Sequence, residues 1–239
     1  MLEIRNVAAS RGGKTVLESI NLSLGRGEIL ALIGKNGCGK STLCDCINGG
    51  LRHDGEILCN GESTALLSGK ERARLISFLP QLLLRPHITV SELVAFGKDS
   101  HRAFFPQGED ISEVLEPLGI GELSESFLDE LSGGELRRAY LAMTLARKTP
   151  YIILDEPCAH MDAAFEHHFM ETLLRIRSSS GILAVMHDIN AAVRYADRIA
   201  ILDGGEIAFE GAADASYEAI EKVFGMKKYI SGENVFFAP

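Results

Sequence analysis

The stretch Gly34-Lys35-Asn36-Gly37-Cys38-Gly39-Lys40-Ser41-Thr42 decides the fold. It fits the pattern G-x-x-x-x-G-K-[ST] and stands between a predicted strand over 28–33 and a predicted helix over 40–48. Glycines at these places permit the backbone angles that turn successive N–H groups inward around one anion. The helix that begins at Lys40 aims its positive end at the same point. Lys40 is placed to reach the β- and γ-phosphates of a bound nucleotide, and the Ser41 hydroxyl to bind Mg²⁺. A chance glycine turn would not need the strand before it and the helix after it.

Downstream, Tyr151-Ile152-Ile153-Leu154 is an apolar run that ends in Asp155-Glu156. A buried strand of this kind delivers its last residues to the sheet edge where ligands bind in open α/β folds. Asp155 is placed to hold Mg²⁺, and Glu156 to orient and polarise an attacking water. Standing alone, Asp-Glu-Pro is a polar turn after a strand. With the phosphate loop upstream it reads as the second half of one site.

The elements around these two segments give the fold class. Strands are predicted over 2–7, 16–22 and 28–33, a hairpin-like piece over 56–60, a helix over 68–74 and a strand over 75–79 that stops at Pro80. Residues 82–146 carry helical rather than strand signals, with helices over 89–96, 111–118 and 134–147. Short apolar runs over 151–154, 182–186 and 199–202 then alternate with helices, as buried parallel strands do. A helix over 215–224 closes the pattern. The result is an α/β fold with an N-terminal antiparallel β portion and an inserted helical subdomain. It is read as one domain, residues 1–239, whose core is 1–81 and 147–239 and whose helical subdomain is 82–146.

Composition narrows the function. The chain has 239 residues, 46% of them hydrophobic, enough for a sizeable core. No run of about 18 apolar residues is present, so no transmembrane helix is expected, and the first residues lack the pattern of a secretory signal. A membrane role would come through a partner. The net charge of −9 argues against a nucleic-acid partner bound by phosphate neutralisation. Cys38, Cys44, Cys46, Cys59 and Cys158 contain no CxxC pair and read as reduced thiols. Cys44 and Cys46, two apart on a helix, are expected to point to nearly opposite sides.

Leu131-Ser132-Gly133-Gly134-Glu135 narrows the family. It resembles the signature motif of ATP-binding cassette (ABC) ATPases, which are P-loop NTPases, and the likeness extends over essentially the whole chain. Physically, Ser-Gly-Gly at a helix start is a further anion site, and Ser132 also serves as an ordinary N-cap. The resemblance implies that this motif meets the ATP held by the phosphate loop of a second copy, so that a homodimer sandwiches two ATPs. It also implies roles for Gln81, as the glutamine that touches Mg²⁺ or water, and for His187, as the histidine that contacts the γ-phosphate. Asp162, in Ala159-His160-Met161-Asp162, corresponds to an aspartate at the dimer interface.

Within the family the chain resembles importer ATPases for iron–siderophore, haem or cobalamin uptake. The stretches that carry this are Val185-Met186-His187-Asp188-Ile189-Asn190, Arg194-Tyr195-Ala196-Asp197-Arg198, and Leu93-Val94-Ala95-Phe96-Gly97 followed by His101. The resemblance implies ATP as substrate, Mg²⁺ as cofactor and an integral membrane permease as partner. It also implies, indirectly, a periplasmic or extracellular solute-binding protein, and a cytoplasmic location on the inner face of the cell membrane. The groove beside Gln81, including residues 82–105, would grip the permease. A soluble ABC ATPase of iron–sulfur assembly is the alternative.

Three positions depart from the family pattern. Arg11 stands before Gly12-Gly13, where the family has an aromatic residue that stacks on adenine; a guanidinium can also lie flat on a base, with weaker base recognition expected. Cys38 lies inside the phosphate loop, where alkylation would block nucleotide entry. His160 replaces a small residue; with His167 and His168 it reads as a surface histidine cluster rather than a metal site, because adjacent helix residues do not face one another.

Overall fold

A computed structural model describes residues 1–98, 111–159, 161, 163–232 and 234–239. The strands are β1 (Leu2–Arg11), β2 (Lys14–Leu24), β3 (Ile29–Ile33), β4 (Asp54–Cys59), β5 (Glu62–Ser63), β6 (Ile76–Leu79), β7 (Tyr151–Asp155), β8 (Gly181–Val185), β9 (Arg198–Asp203), β10 (Glu206–Ala212), β11 (Lys227–Ser231) and β12 (Asn234–Ala238). The α-helices are α1 (Lys40–Asn48), α2 (Gly69–Leu75), α3 (Val90–Lys98), α4 (Ser112–Leu115), α5 (Gly133–Ala146), α6 (Ala163–Ile176), α7 (Ile189–Tyr195) and α8 (Tyr217–Phe224).

The central sheet has the order β10-β9-β3-β8-β7-β6, parallel from β9 to β6, with β10 antiparallel at one edge. Strands β3, β7 and β8 are buried at every position, which explains their continuous apolar sequences. Alternation along them feeds two separate cores. Ile29, Ala31, Ile33, Ile152, Leu154, Ile182 and Ala184 face the core that also holds α3, α5 and α6. Leu30, Leu32, Tyr151, Ile153, Leu183 and Val185 face the core shared with α1 and with an antiparallel sheet of order β2-β1-β4-β5.

Helix α1 therefore lies between two sheets. Cys44 and Cys46 are both buried in the same core, because layers cover the helix from more than one direction. Among the described residues no group of three or more His, Cys, Asp or Glu side chains is arranged to hold a metal, and no helix is long and apolar enough to cross a membrane.

Among the described residues, the helical insert differs from its expected form after residue 111. The helix expected over 111–118 is α4 followed by a 3-10 turn over 116–118 that ends at Gly119, φ +62°. The closing helix is α8, but the chain continues into a hairpin, β11–β12. Phe237 on β12 is buried, and the Asn190 side chain of α7 exchanges hydrogen bonds with its backbone (2.7 and 3.2 Å). The expected hairpin near 56–60 is β4, and its longer partner is the distant β1 as well as the short β5.

The parallel strands all run in one direction, so their C-terminal ends meet along one edge. Ile33 leads to Gly34, Leu79 to Gln81, Asp155 to Glu156, and Val185 to His187. Four segments far apart in sequence are brought to one place by this register alone.

Candidate active site

The edge holds a cavity of about 620 Å³ lined by residues that include Gly37, Gly39, Lys40, Ser41, Gln81, Glu156 and His187. Gly39 caps α1 with φ +113° and no side-chain cap, so the first N–H groups of the helix stay free for an anion. A Cβ at Gly39 would meet Leu17 Cδ2 at 2.7 Å, and one at Gly34 would meet the Leu202 carbonyl at 2.3 Å. The loop is thus packed against β2 and β9 so closely that only glycine fits at both places.

Lys40 is buried, and its ammonium donates to the carbonyls of Gly34 (2.7 Å) and Lys35 (3.1 Å). The cation is folded onto the loop that a phosphate would occupy. Asp155 is 2% exposed, and its Oδ1 is buried without a hydrogen-bond partner. Burial pushes its carboxyl above the usual range, the charges of Glu156 and Asp45 add to this, and a hydrogen bond from Ser41 opposes it. An orphaned, desolvated carboxylate oxygen beside a serine hydroxyl is the donor set that a small divalent cation takes. The residues present fit Mg²⁺.

Glu156 faces the same cavity from a strained backbone, φ +54°. Its Oε1 lies 2.7 Å from His187 Nε2, and Gln81 Nε2 donates to its Oε2 at 3.1 Å. The amide nitrogen of Gln81 is thus engaged by Glu156, and Gln81 lines the cavity together with Ser41. Two donors from the ends of two other strands fix one carboxylate at the mouth of the phosphate cradle.

Other predicted residues fall elsewhere. Arg11 is ion-paired with Asp45 on α1, and the cavity lining does not include it. Cys38 is half-buried with its Sγ 3.9 Å from Lys40 Nζ, and burial raises its thiol above the ordinary value of 9.0. Ser132 caps α5 in a reciprocal box: Glu135 N–H donates to Ser132 Oγ (3.3 Å) and Ser132 N–H to Glu135 Oε2 (2.8 Å). These bonds hold the Glu135 carboxyl below the usual range. Gly133 and Gly134 have open space where a Cβ would stand. Residues 131–135 do not line the phosphate cavity of their own chain. His167 bonds the Tyr195 hydroxyl, His168 is exposed, and His101, His160 and Asp162 lie outside the described residues.

Sequence reading missed Arg137. It is 5% exposed, and its guanidinium donates to the main-chain carbonyls of Pro157, Gln81, Asp155 and Glu156. A signal was available: on α5 it shares a helical stripe with Leu141, Thr144 and Leu145, all buried.

Residues 17–159 match the family described as ABC transporter. The chain belongs to the ABC transporter family. This ABC chain is 34% identical to the ferric enterobactin transport ATP-binding protein FepC of Escherichia coli, over 95% of this chain and 88% of that protein. It is 35% identical to the hemin import ATP-binding protein HmuV of Pseudomonas fluorescens, over 95% and 93%. A bacterial ABC transporter cassette solved as a dimer superposes with a TM-score of 0.80 at 26% identity, covering 89% of this chain and 99% of that one. The ABC cassette described here is accordingly an ATP-binding, ATP-hydrolysing chain, with the mixed α/β core, antiparallel N-terminal sheet and helical insert of its relatives.

Proposed function

We propose that this chain is the ATP-hydrolysing subunit of an importer for an iron chelate or haem, working as a homodimer on a membrane permease. The observation that carries the catalytic part is the Glu156 carboxylate, fixed by His187 and Gln81 at the mouth of the cavity lined by Lys40 and Ser41, with Asp155 buried behind Ser41. The cargo class rests on the relatives that import ferric enterobactin and hemin.

Nucleotide phosphates would bind the free N–H groups of residues 34–42. Lys40 then exchanges the carbonyls of Gly34 and Lys35 for the β- and γ-phosphates. Ser41 and Asp155 would hold Mg²⁺, which supplies positive charge to the phosphate oxygens when bound. Glu156 accepts a hydrogen bond from the attacking water and aims it at the γ-phosphorus. As the bond to that phosphorus forms, the bridging oxygen leaves with its electron pair on ADP, and the water proton passes toward Glu156. His187 donates toward the charge that spreads on the γ-phosphoryl oxygens.

The open face of Gly133 and Gly134, outside the lining of the chain's own cavity, supports their use on the nucleotide of a partner. Asp162 would lie at the same interface. Division into a core, 1–81 and 147–239, and a helical subdomain, 82–146, gives the two bodies that would close on ATP. Beside Gln81, Leu82 and Leu84 are 87% and 78% exposed, an apolar pair suited to a cytoplasmic helix of the permease. Such a permease places the chain on the inner face of the membrane, and a solute-binding protein would deliver cargo to the other side.

The test is the concentration dependence of ATPase activity. If each site needs a second copy, specific activity rises with protein concentration until the dimer saturates. A specific activity that stays constant on dilution through a verified monomer range contradicts the reading.

A further inference from the structure

Arg137 connects two surfaces that the reading above treats separately. Three of the carbonyls it binds belong to Asp155, Glu156 and Pro157, at 2.6 Å for Asp155 and 3.1 Å for Pro157. This is the segment in which Glu156 takes φ +54°. A non-glycine residue stays in that region only where its surroundings hold it there. The fourth carbonyl, at 3.0 Å, is that of Gln81, whose amide grips the Glu156 carboxylate. The fork therefore fixes both the backbone of Glu156 and the backbone of the residue that orients its side chain.

The other end of the connection is α5 itself. Its first turn is locked by the reciprocal Ser132–Glu135 box, and Arg137 sits on the next turn. The helix is continuous over 14 residues, so displacement of its N-terminus carries the guanidinium with it. Burial pushes the Arg137 pKa down, and the nearby charges of Asp155 and Glu156 oppose that shift. Its hydrogen bonds nonetheless go to main-chain carbonyls, so the fork fixes backbone rather than a side chain.

We propose that Arg137 is a positioning residue that couples the two active sites of the dimer, transmitting engagement of residues 132–135 on the partner's nucleotide to Glu156 of its own site. This rests on the sandwiched homodimer proposed above. Without Arg137, Glu156 relaxes from its left-handed backbone and its carboxylate leaves the water position. ATP binding, which uses residues 34–42, is spared.

The experiment uses the full chain. Arg137→Met removes the fork at similar length, and Arg137→Lys keeps the charge on a single nitrogen. Steady-state ATPase is measured against ATP concentration. ATP affinity and ATP-driven dimerisation are measured with each change placed in a Glu156→Gln background. The proposal expects ATP affinity within about threefold of the parent and a dimer that still forms, while kcat falls about ten- to hundredfold. The Hill coefficient for ATP falls toward about 1 from a higher parental value. Arg137→Lys gives an intermediate loss, and it decides the matter alone if the methionine variant does not fold. A kcat and Hill coefficient within about twofold of the parent overturn the proposal, and so does ATP affinity lost in proportion to kcat, which marks a merely structural residue. If Glu156→Gln with native Arg137 stays monomeric in ATP, the dimer reading itself has failed, a result distinct from any produced by Arg137.

Discussion

Asp155→Asn should stabilise the metal-free chain while removing its response to Mg²⁺. Asp155 is buried at 2% exposure with one oxygen unpartnered, and burial holds its carboxyl above the ordinary range. An unsatisfied buried polar group costs about 1–3 kcal/mol, more when charged. Asparagine keeps the shape, keeps an acceptor for Ser41 and exchanges an orphaned charge for an orphaned neutral amide, which costs less, so a gain of about 1–2 kcal/mol is expected. For a chain of this size that raises the melting temperature by about 2–8 °C. The sign with pH follows from a folded pKa above the unfolded one. The relative stabilisation is complete below the unfolded value, about 4 for an aspartate, and is lost as pH rises through the folded value. The parent should therefore lose more stability than the variant between about pH 4 and neutrality. Mg²⁺ with ATP reverses the order: the parent gains about 2.7 kcal/mol at a hundredfold excess over Kd, and the variant gains far less. Thermal unfolding with and without Mg²⁺ and ATP reads all of this. A metal-free Asp155→Asn chain that melts at or below the parent refutes the reasoning.

Glu156→Gln keeps the contacts with Gln81 and His187 in shape but removes the acceptor for the water proton; phosphate release should fall by about 10² to 10⁴ with ATP affinity little changed, and retention of more than about a tenth of the rate would contradict the assigned role. Arg11→Tyr releases the pair with Asp45 and supplies a stacking ring worth about 1–3 kcal/mol; equal ATP affinity in parent and variant would show that the base is not recognised there. Alkylation of Cys38 should block ATP binding and should speed up as pH rises, since burial lifts the thiol above 9.0; full ATPase activity after confirmed labelling disproves it.

The phosphate cradle and the parallel strands were legible because their chemistry is local. A glycine pattern and an apolar run ending in carboxylates each carry their meaning within a few residues. The hairpin β11–β12 was not legible: β11 is exposed at every position, so no alternation marks it, and β12 is held by Asn190 from another part of the chain. The place of Arg137 on the buried stripe of α5 was legible, but its four main-chain carbonyl partners come from the ends of two strands and no spacing encodes them. The pairing of Arg11 with Asp45 depends on how the first hairpin folds over α1, which no spacing encodes. For Cys44 and Cys46, helical geometry gave their directions, but only the layer on each side of α1 decides burial.

The most direct test of the central claim is recovery of this chain from native membranes under mild detergent, with the co-purifying polytopic protein identified. The account predicts a permease in stoichiometric amount, released or weakened when Leu82 and Leu84 are replaced by charged residues. Recovery with soluble partners alone would keep the ATPase and contradict the importer.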